Sequence, residues 1–154
     1  MIDGLINTRE KAKEFLNSLD KGKTIFIDTE TTGLYLWNGN RMCSLQIGQD
    51  DKVAFLPFRM DPPKDDMFLV PYENLSHKEI NMFNEFIRDV SGINSFNFKF
   101  DGNMLRADGI PIHSGASCTY VASSIVLAGK EWDSSKKKGQ SLKLKSIAKN
   151  VLDK

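Results

Sequence analysis

Long apolar runs are missing from this 154-residue sequence. No stretch approaches 18 consecutive hydrophobic residues, which excludes a membrane-spanning helix, and the opening "MIDGLINTREKAKEF" lacks the basic-then-apolar order of a secretory leader. The expectation is a cytoplasmic protein with no membrane partner. Cysteine is scarce too. Cys43 and Cys118 lie far apart and outside any Cys-x-x-Cys or Cys/His cluster, so neither a disulfide framework nor a zinc site is expected, and both read as reduced core thiols. The Asn74-Leu75-Ser76 sequon carries no meaning in a protein that is not secreted. His77 and His113, the two histidines, read as surface or capping residues rather than ligands. There is no internal repeat.

Net charge is also small, +1, but it is unevenly spread. Residues 136–154 carry seven lysines against one acid, Asp153, so this stretch holds +6 and the preceding body −5. The run "SSKKKGQ" reads as a solvated loop or, alternatively, a phosphate-contacting patch. What is present is enough for one domain: 40% hydrophobic residues over this length support a single sizeable core with a site on its surface.

The periodicities alternate between helix and strand. Thr8 can cap a helix whose Ala12, Phe15, Leu16 and Leu19 recur at helical spacing, followed by the turn "DKGK" and the strand-like "TIFID". "MCSLQIG" and "VAFLPF", joined by "GQDDK", read as an antiparallel hairpin. "RMDPPKDDMFLVPYEN" is rich in proline and acid and reads as an excursion within one domain. "SHKE", residues 76–79, matches a capping box and precedes the stripe Ile80, Phe83, Phe86, Ile87, Val90. A short strand "INSF" leads into "NFKFDGNMLRADGI", a helix closed near Gly109, and "SCTYVASSIVLAG" and "SLKLKSIAKNVL" read as two further helices. The alternating residues Phe96, Phe98 and Phe100 read mostly as core. The implied class is α/β, a mixed central sheet flanked by helices.

Within this frame "FIDTETTGL", residues 26–34, ends a buried strand with two acids. Side chains two apart on a strand share a side, so Asp28 and Glu30 should stand roughly 6–7 Å apart and repel by roughly 2–3 kcal/mol at an effective dielectric near 20. In "NFKFD", Asn97 and Asp101 are four apart and share a face if the turn is helical; strand-to-helix junctions are where α/β sheets place ligands. Asp101 is therefore expected to face the pair. Three carboxylates converging with no basic residue but Lys99 would be unfavourable when empty and would suit a hard divalent cation, Mg²⁺ or Mn²⁺. The plainer alternatives are two solvated acids at a strand end and an ordinary helix N-terminus.

"FIDTETTGL" resembles the Asp-x-Glu first motif of the DEDD proofreading nucleases, and "NFKFDGNML" resembles their second motif, Asn-x-x-x-Asp, in the form of the DNA polymerase I (family A) exonuclease domain. "SLKLKSIAKNVL" is similar to that domain's Ser-Leu-Lys-x-Leu-Ala helix, and "CTYVASSIVLAG" to its Asp-Thr-x-x-Ala-x-Tyr-Leu-Leu helix. The resemblance covers the chain from about residue 20 onward and implies a ribonuclease H-like fold and two-ion hydrolysis of the terminal phosphodiester at a DNA 3′ end. It further implies that Asp28, Glu30 and Asp101 are the catalytic and metal-binding residues. Thr31, Leu34 and Asn97 would contact the substrate strand, Leu34 by packing on the terminal base. Phe96 stands where many relatives have His or Gln.

The family's third motif, Tyr-x-x-x-Asp or His-x-x-x-x-Asp, has no counterpart: Tyr120 is followed four positions on by Ser124, His113 by Ser117 and Cys118, and Asp153 has no Tyr or His at the needed spacing. The chain is thus expected to be about three quarters of an exonuclease domain, the rest either cut off or contributed by a polymerase subunit or second polypeptide, so that one ligand is missing together with general-base help worth about 10² to 10⁴-fold. The expected function is a metal-dependent 3′-to-5′ exonuclease acting on single-stranded DNA 3′ ends within a polymerase proofreading unit. The alternative is a catalytically incomplete nucleic-acid-binding or polymerase-docking module of the same fold. A phosphoacceptor signalling domain built on Asp28 would want an acidic pair on an earlier strand and gives no reason for "NFKFD".

Overall fold

The computed structural model describes residues 2–6, 8–58, 75–112 and 115–128. The acidic excursion at 59–74, His113, the lysines from 136 on, the helix expected in "SLKLKSIAKNVL" and Asp153 lie outside the described residues. Six strands form one sheet: β1 (Ile2–Leu5), β2 (Thr24–Thr31), β3 (Met42–Gln49), β4 (Lys52–Pro57), β5 (Gly92–Ser95) and β6 (Ala116–Cys118). The four helices are α1 (Arg9–Ser18), α2 (His77–Asp89), α3 (Phe98–Ala107) and α4 (Thr119–Ala128), and a short 3₁₀ turn spans Leu36–Asn38. The strand order is β1-β4-β3-β2-β5-β6. β2, β3 and β4 run antiparallel as a meander, while β1 joins β4, β5 joins β2 and β6 joins β5, each in parallel. Among the described residues no helix is long and apolar enough to cross a membrane.

Local chemistry explains the helix starts. The Thr8 hydroxyl accepts from the Lys11 amide at 3.3 Å, and Ser76 accepts from Lys78 while the Glu79 carboxylate accepts from the Ser76 amide at 2.9 Å, closing the capping box. The expected hairpin forms with Ile47 opposite Ala54 and Leu45 opposite Leu56. These four, with Ile25, Ile27 and Ile93, are fully or almost fully buried and make one side of the sheet apolar. Ala12, Phe15 and Leu16 of α1 and Ile80, Phe83, Phe86 and Ile87 of α2 belong to the same continuous core, each large side chain contributing about 1.5–3 kcal/mol through burial.

Two local readings of secondary structure are revised. "ASC" is a third parallel strand, so the helix expected from Ser117 begins only at Thr119. β1, which had no periodic signal, pairs Leu5 with Phe55. Phe98 and Phe100 sit in α3 and pack against the core, in line with the reading of that stripe as mostly core, whereas Phe96 meets the Tyr120 ring edge-on at 5.9 Å. Cys43 and Cys118 are free and only partly buried, not the core thiols expected.

Candidate active site

β2 is the strand that carries the motif, and its alternation decides which groups meet. Ile25, Ile27 and Thr29 are buried on the core side, while Phe26, Asp28 and Glu30 face outward and are exposed. Asp28 and Glu30 thus share one face, as their spacing requires. The antiparallel register sets Gln46 opposite Asp28 and Ser44 opposite Glu30, and the register slips between Glu30 and Thr31, a bulge that ends the regular strand just past the pair.

Asp101 has a different setting. It lies in the first turn of α3, is 3% exposed, and points to the Thr29 side of β2. Its Oδ1 accepts from the Thr29 hydroxyl at 2.6 Å and the Thr29 amide at 3.2 Å, and its Oδ2 accepts from the Ser95 hydroxyl at 2.8 Å. Ser95 is 2% and Thr29 7% exposed, so these donors have no solvent to fall back on. Sequence reasoning found the carboxylate but missed its two hydroxyl partners. The strand alternation alone placed Thr29 on the side away from Asp28 and Glu30.

The three acids still feel one another. Asp28 is open to solvent as a residue, yet its carboxyl group is partly enclosed; this burial, then the negative charges of Asp101 and Glu30, push it above the usual carboxylate range. Burial, with Glu30 adding to it, also pushes the Cys43 thiol up. No cation answers these charges: among the described residues the ion pairs are Lys21–Asp89 and Lys23–Asp50. Across the strand, the Gln46 Nε2 donates to the Ser44 hydroxyl at 3.2 Å, while the buried Gln46 Oε1 has no donor. Asp28, Glu30 and the Gln46 oxygen therefore form an acceptor-rich face with no cation paired to it among the described residues, which fits a hard divalent cation. Among the described residues no three His, Cys, Asp or Glu side chains are grouped to hold one ion. Asp28 and Glu30 are the pair open to one, with water and substrate phosphate oxygens as the further ligands that Mg²⁺ usually keeps.

The other expected residues surround this pair. Thr31 is half-buried at the strand end, and its hydroxyl donates to the Gly33 carbonyl at 3.0 Å. Leu34 is 68% exposed on the loop that follows. Asn97 caps α3 through its backbone: its carbonyl accepts from the Phe100 and Asp101 amides at 2.8 and 3.3 Å, and its exposed side chain makes no cap bond.

A mixed six-stranded sheet with an outward acid pair at the end of a central strand defines the class, a ribonuclease H-like α/β domain, and comparison with known proteins narrows it. The sequence matches the 3′-5′ exonuclease family over residues 5–154, and the chain belongs to that family. Its fold is similar to the Nibbler EXO domain of Aedes aegypti, with a TM-score of 0.67 at 14% identity over 99% of this chain and 69% of that one. It is also similar to Brucella melitensis NrnC with bound Mg²⁺, with a TM-score of 0.61 at 16% identity over all of this chain and 63% of NrnC. A further nuclease in its apo form gives a TM-score of 0.60 at 19% identity, and this chain spans 61% of it. No curated protein matches the chain closely in sequence.

Proposed function

We propose that this chain is a metal-dependent 3′-to-5′ exonuclease domain that removes nucleotides from single-stranded DNA 3′ ends, as part of a polymerase proofreading unit. The observation that carries the reading is the Asp28–Glu30 pair: two outward carboxylates on one strand face, with no ion-pair partner among the described residues, in a chain of the exonuclease family. These two residues hold the ion, Mg²⁺ or Mn²⁺, and Asp101 acts on it through the field it imposes on Asp28. When bound, the ion supplies an activated water and charge stabilisation at the scissile phosphate. Leu34 packs on the terminal base, and Thr31 and Asn97 hold the strand end. Support for DNA comes from the polymerase I form of the second motif.

Incubating 5′-labelled single-stranded DNA with the protein and Mg²⁺ or Mn²⁺ tests this. A ladder shortening from the 3′ end, absent in Asp28→Ala, is the expected result. A second reading, a nucleic-acid-binding module of the same fold without catalysis, is favoured by one observation: both Asp101 oxygens are already engaged by Thr29 and Ser95. Retained DNA binding with no cleavage under either ion would select it.

A further inference from the structure

The loop that leaves β2 just after the acid pair exposes three large apolar side chains that the sequence motifs do not explain together. Leu34, Tyr35 and Trp37 are 68%, 49% and 80% exposed. Contiguous exposed apolar groups of this size are uncommon without a ligand. The Tyr35 and Trp37 rings stack on each other with centroids 4.6 Å apart and planes 28° from parallel, and both stay open to solvent, Trp37 more than Tyr35.

The loop is ordered by its own bonds. At its neck the Thr32 amide donates to the Arg41 carbonyl and the Arg41 amide to the Thr32 hydroxyl, both at 3.0 Å. Inside, the Asn40 side-chain amide donates to the Tyr35 carbonyl at 2.9 Å, and the Asn38 amide to the same oxygen at 3.1 Å. Gly33 passes so close to Asn40 that a Cβ would sit 2.7 Å from its amide atoms. The rings are thus held outward by a scaffold that does not depend on burying them.

The loop itself adds no negative charge that would repel a polyanion. From residue 31 to residue 49 the chain has no acid and one cation, Arg41, in a sequence with 20 acids overall. Arg41 keeps its guanidinium at the loop base, donating to the Asn40 carbonyl at 2.7 Å.

We propose that the Tyr35–Trp37 pair is a stacking platform for an unpaired nucleobase of the substrate strand, upstream of the nucleotide being removed. The proposal rests on the nuclease reading above and adds to it a binding site that works by base stacking, which is tolerant of sequence because every base has an aromatic face. Tyr35 follows Glu30 by five residues, so the platform begins within about 17 Å of the acid pair.

The test uses the full chain with Trp132→Phe, leaving Trp37 as the sole tryptophan, and an eight-residue oligothymidylate in EDTA so that no cleavage intervenes. Trp37 fluorescence should be quenched as the oligonucleotide binds. Trp37→Ala and Tyr35→Ala should each weaken binding, followed by anisotropy of labelled oligonucleotide, by about 5- to 150-fold, with Trp37→Phe close to wild type. Oligothymidylate with abasic residues next to the 3′ nucleotide should bind as weakly as the Trp37→Ala complex and lose nothing more in that variant. Binding that leaves Trp37 unquenched, or is unchanged in Trp37→Ala, overturns the platform and leaves the nuclease reading standing. No binding by any form, together with no cleavage under Mg²⁺ or Mn²⁺, removes both.

Discussion

Replacing Asp101 by alanine separates a carboxylate that the fold needs from one that only a bound ion needs. Three donors lose their acceptor: the Thr29 hydroxyl and amide and the Ser95 hydroxyl, at 2.6, 3.2 and 2.8 Å. Hydrogen bonds to a charged group contribute about 1.5–3 kcal/mol each, and a buried donor left unpaired costs about 1–3 kcal/mol. Against this stands the relief of Asp28, whose charged form Asp101 disfavours. We expect a net loss of about 3–5 kcal/mol, since the three bonds share one carboxylate and are not additive. For a chain of this length that is a fall in Tm of about 6–20 °C. Urea unfolding followed by circular dichroism, in EDTA, measures it, and Ser95→Ala should give about a third of the effect. A pure metal ligand would behave in the opposite way, because removing a like charge beside Asp28 would stabilise the ion-free protein. A loss below about 1 kcal/mol, or a gain, refutes the hydrogen-bond account of Asp101.

Asp28→Asn should raise Tm in EDTA, because the fold disfavours the Asp28 anion, and should abolish any Tm increase on adding Mn²⁺; a lower ion-free Tm contradicts this. The pH dependence follows with a definite sign. The folded chain holds the Asp28 proton more tightly than the unfolded chain, so in EDTA the stability difference between wild type and Asp28→Asn should move against wild type as pH rises from the ordinary carboxylate value of 3.8 through the raised folded value. A flat difference in paired melting curves would remove the electrostatic coupling. Gly33→Ala drives a Cβ into the Asn40 amide and should cost about 1–2 kcal/mol while freeing Tyr35 and Trp37, visible as loss of their mutual near-ultraviolet signal. Ser76→Ala removes the α2 cap and should cost about 1 kcal/mol in urea unfolding, with DNA cleavage unchanged.

What could be read from residue order was what depends on neighbours in the chain. Thr8, Ser76 and Glu79 announce helix starts because capping bonds reach only two or three residues, and the hairpin was visible because β3 and β4 are joined by a two-residue turn. β1 was missed because "IDGL" sets an acid and a glycine between its apolar ends and its one partner, β4, is remote in sequence, and β6 because its three residues run directly into α4 and read as the start of that helix. Asp28 and Glu30 were legible as a same-face pair from strand alternation alone. Where Asp101 would direct its oxygens was not, because Thr29 lies 72 residues away and a hydroxyl on a β-strand gives no sign of the carboxylate it will meet. Tyr35 and Trp37 carried no periodic signal at all, since a loop's order resides in bonds such as Asn40 to Tyr35 that composition does not reveal.

The neck between Thr32 and Arg41 has an evolutionary corollary. Because the two ends of this connection are tied to each other, at 3.0 Å in both directions, the residues between them can be lengthened, shortened or exchanged while β2 and β3 keep their register. If the loop binds the strand as proposed, grafting a different cassette at that neck would change which polymer is held while leaving Asp28 and Glu30 where β2 sets them, so preference could drift on the rim of the domain while its centre stays put.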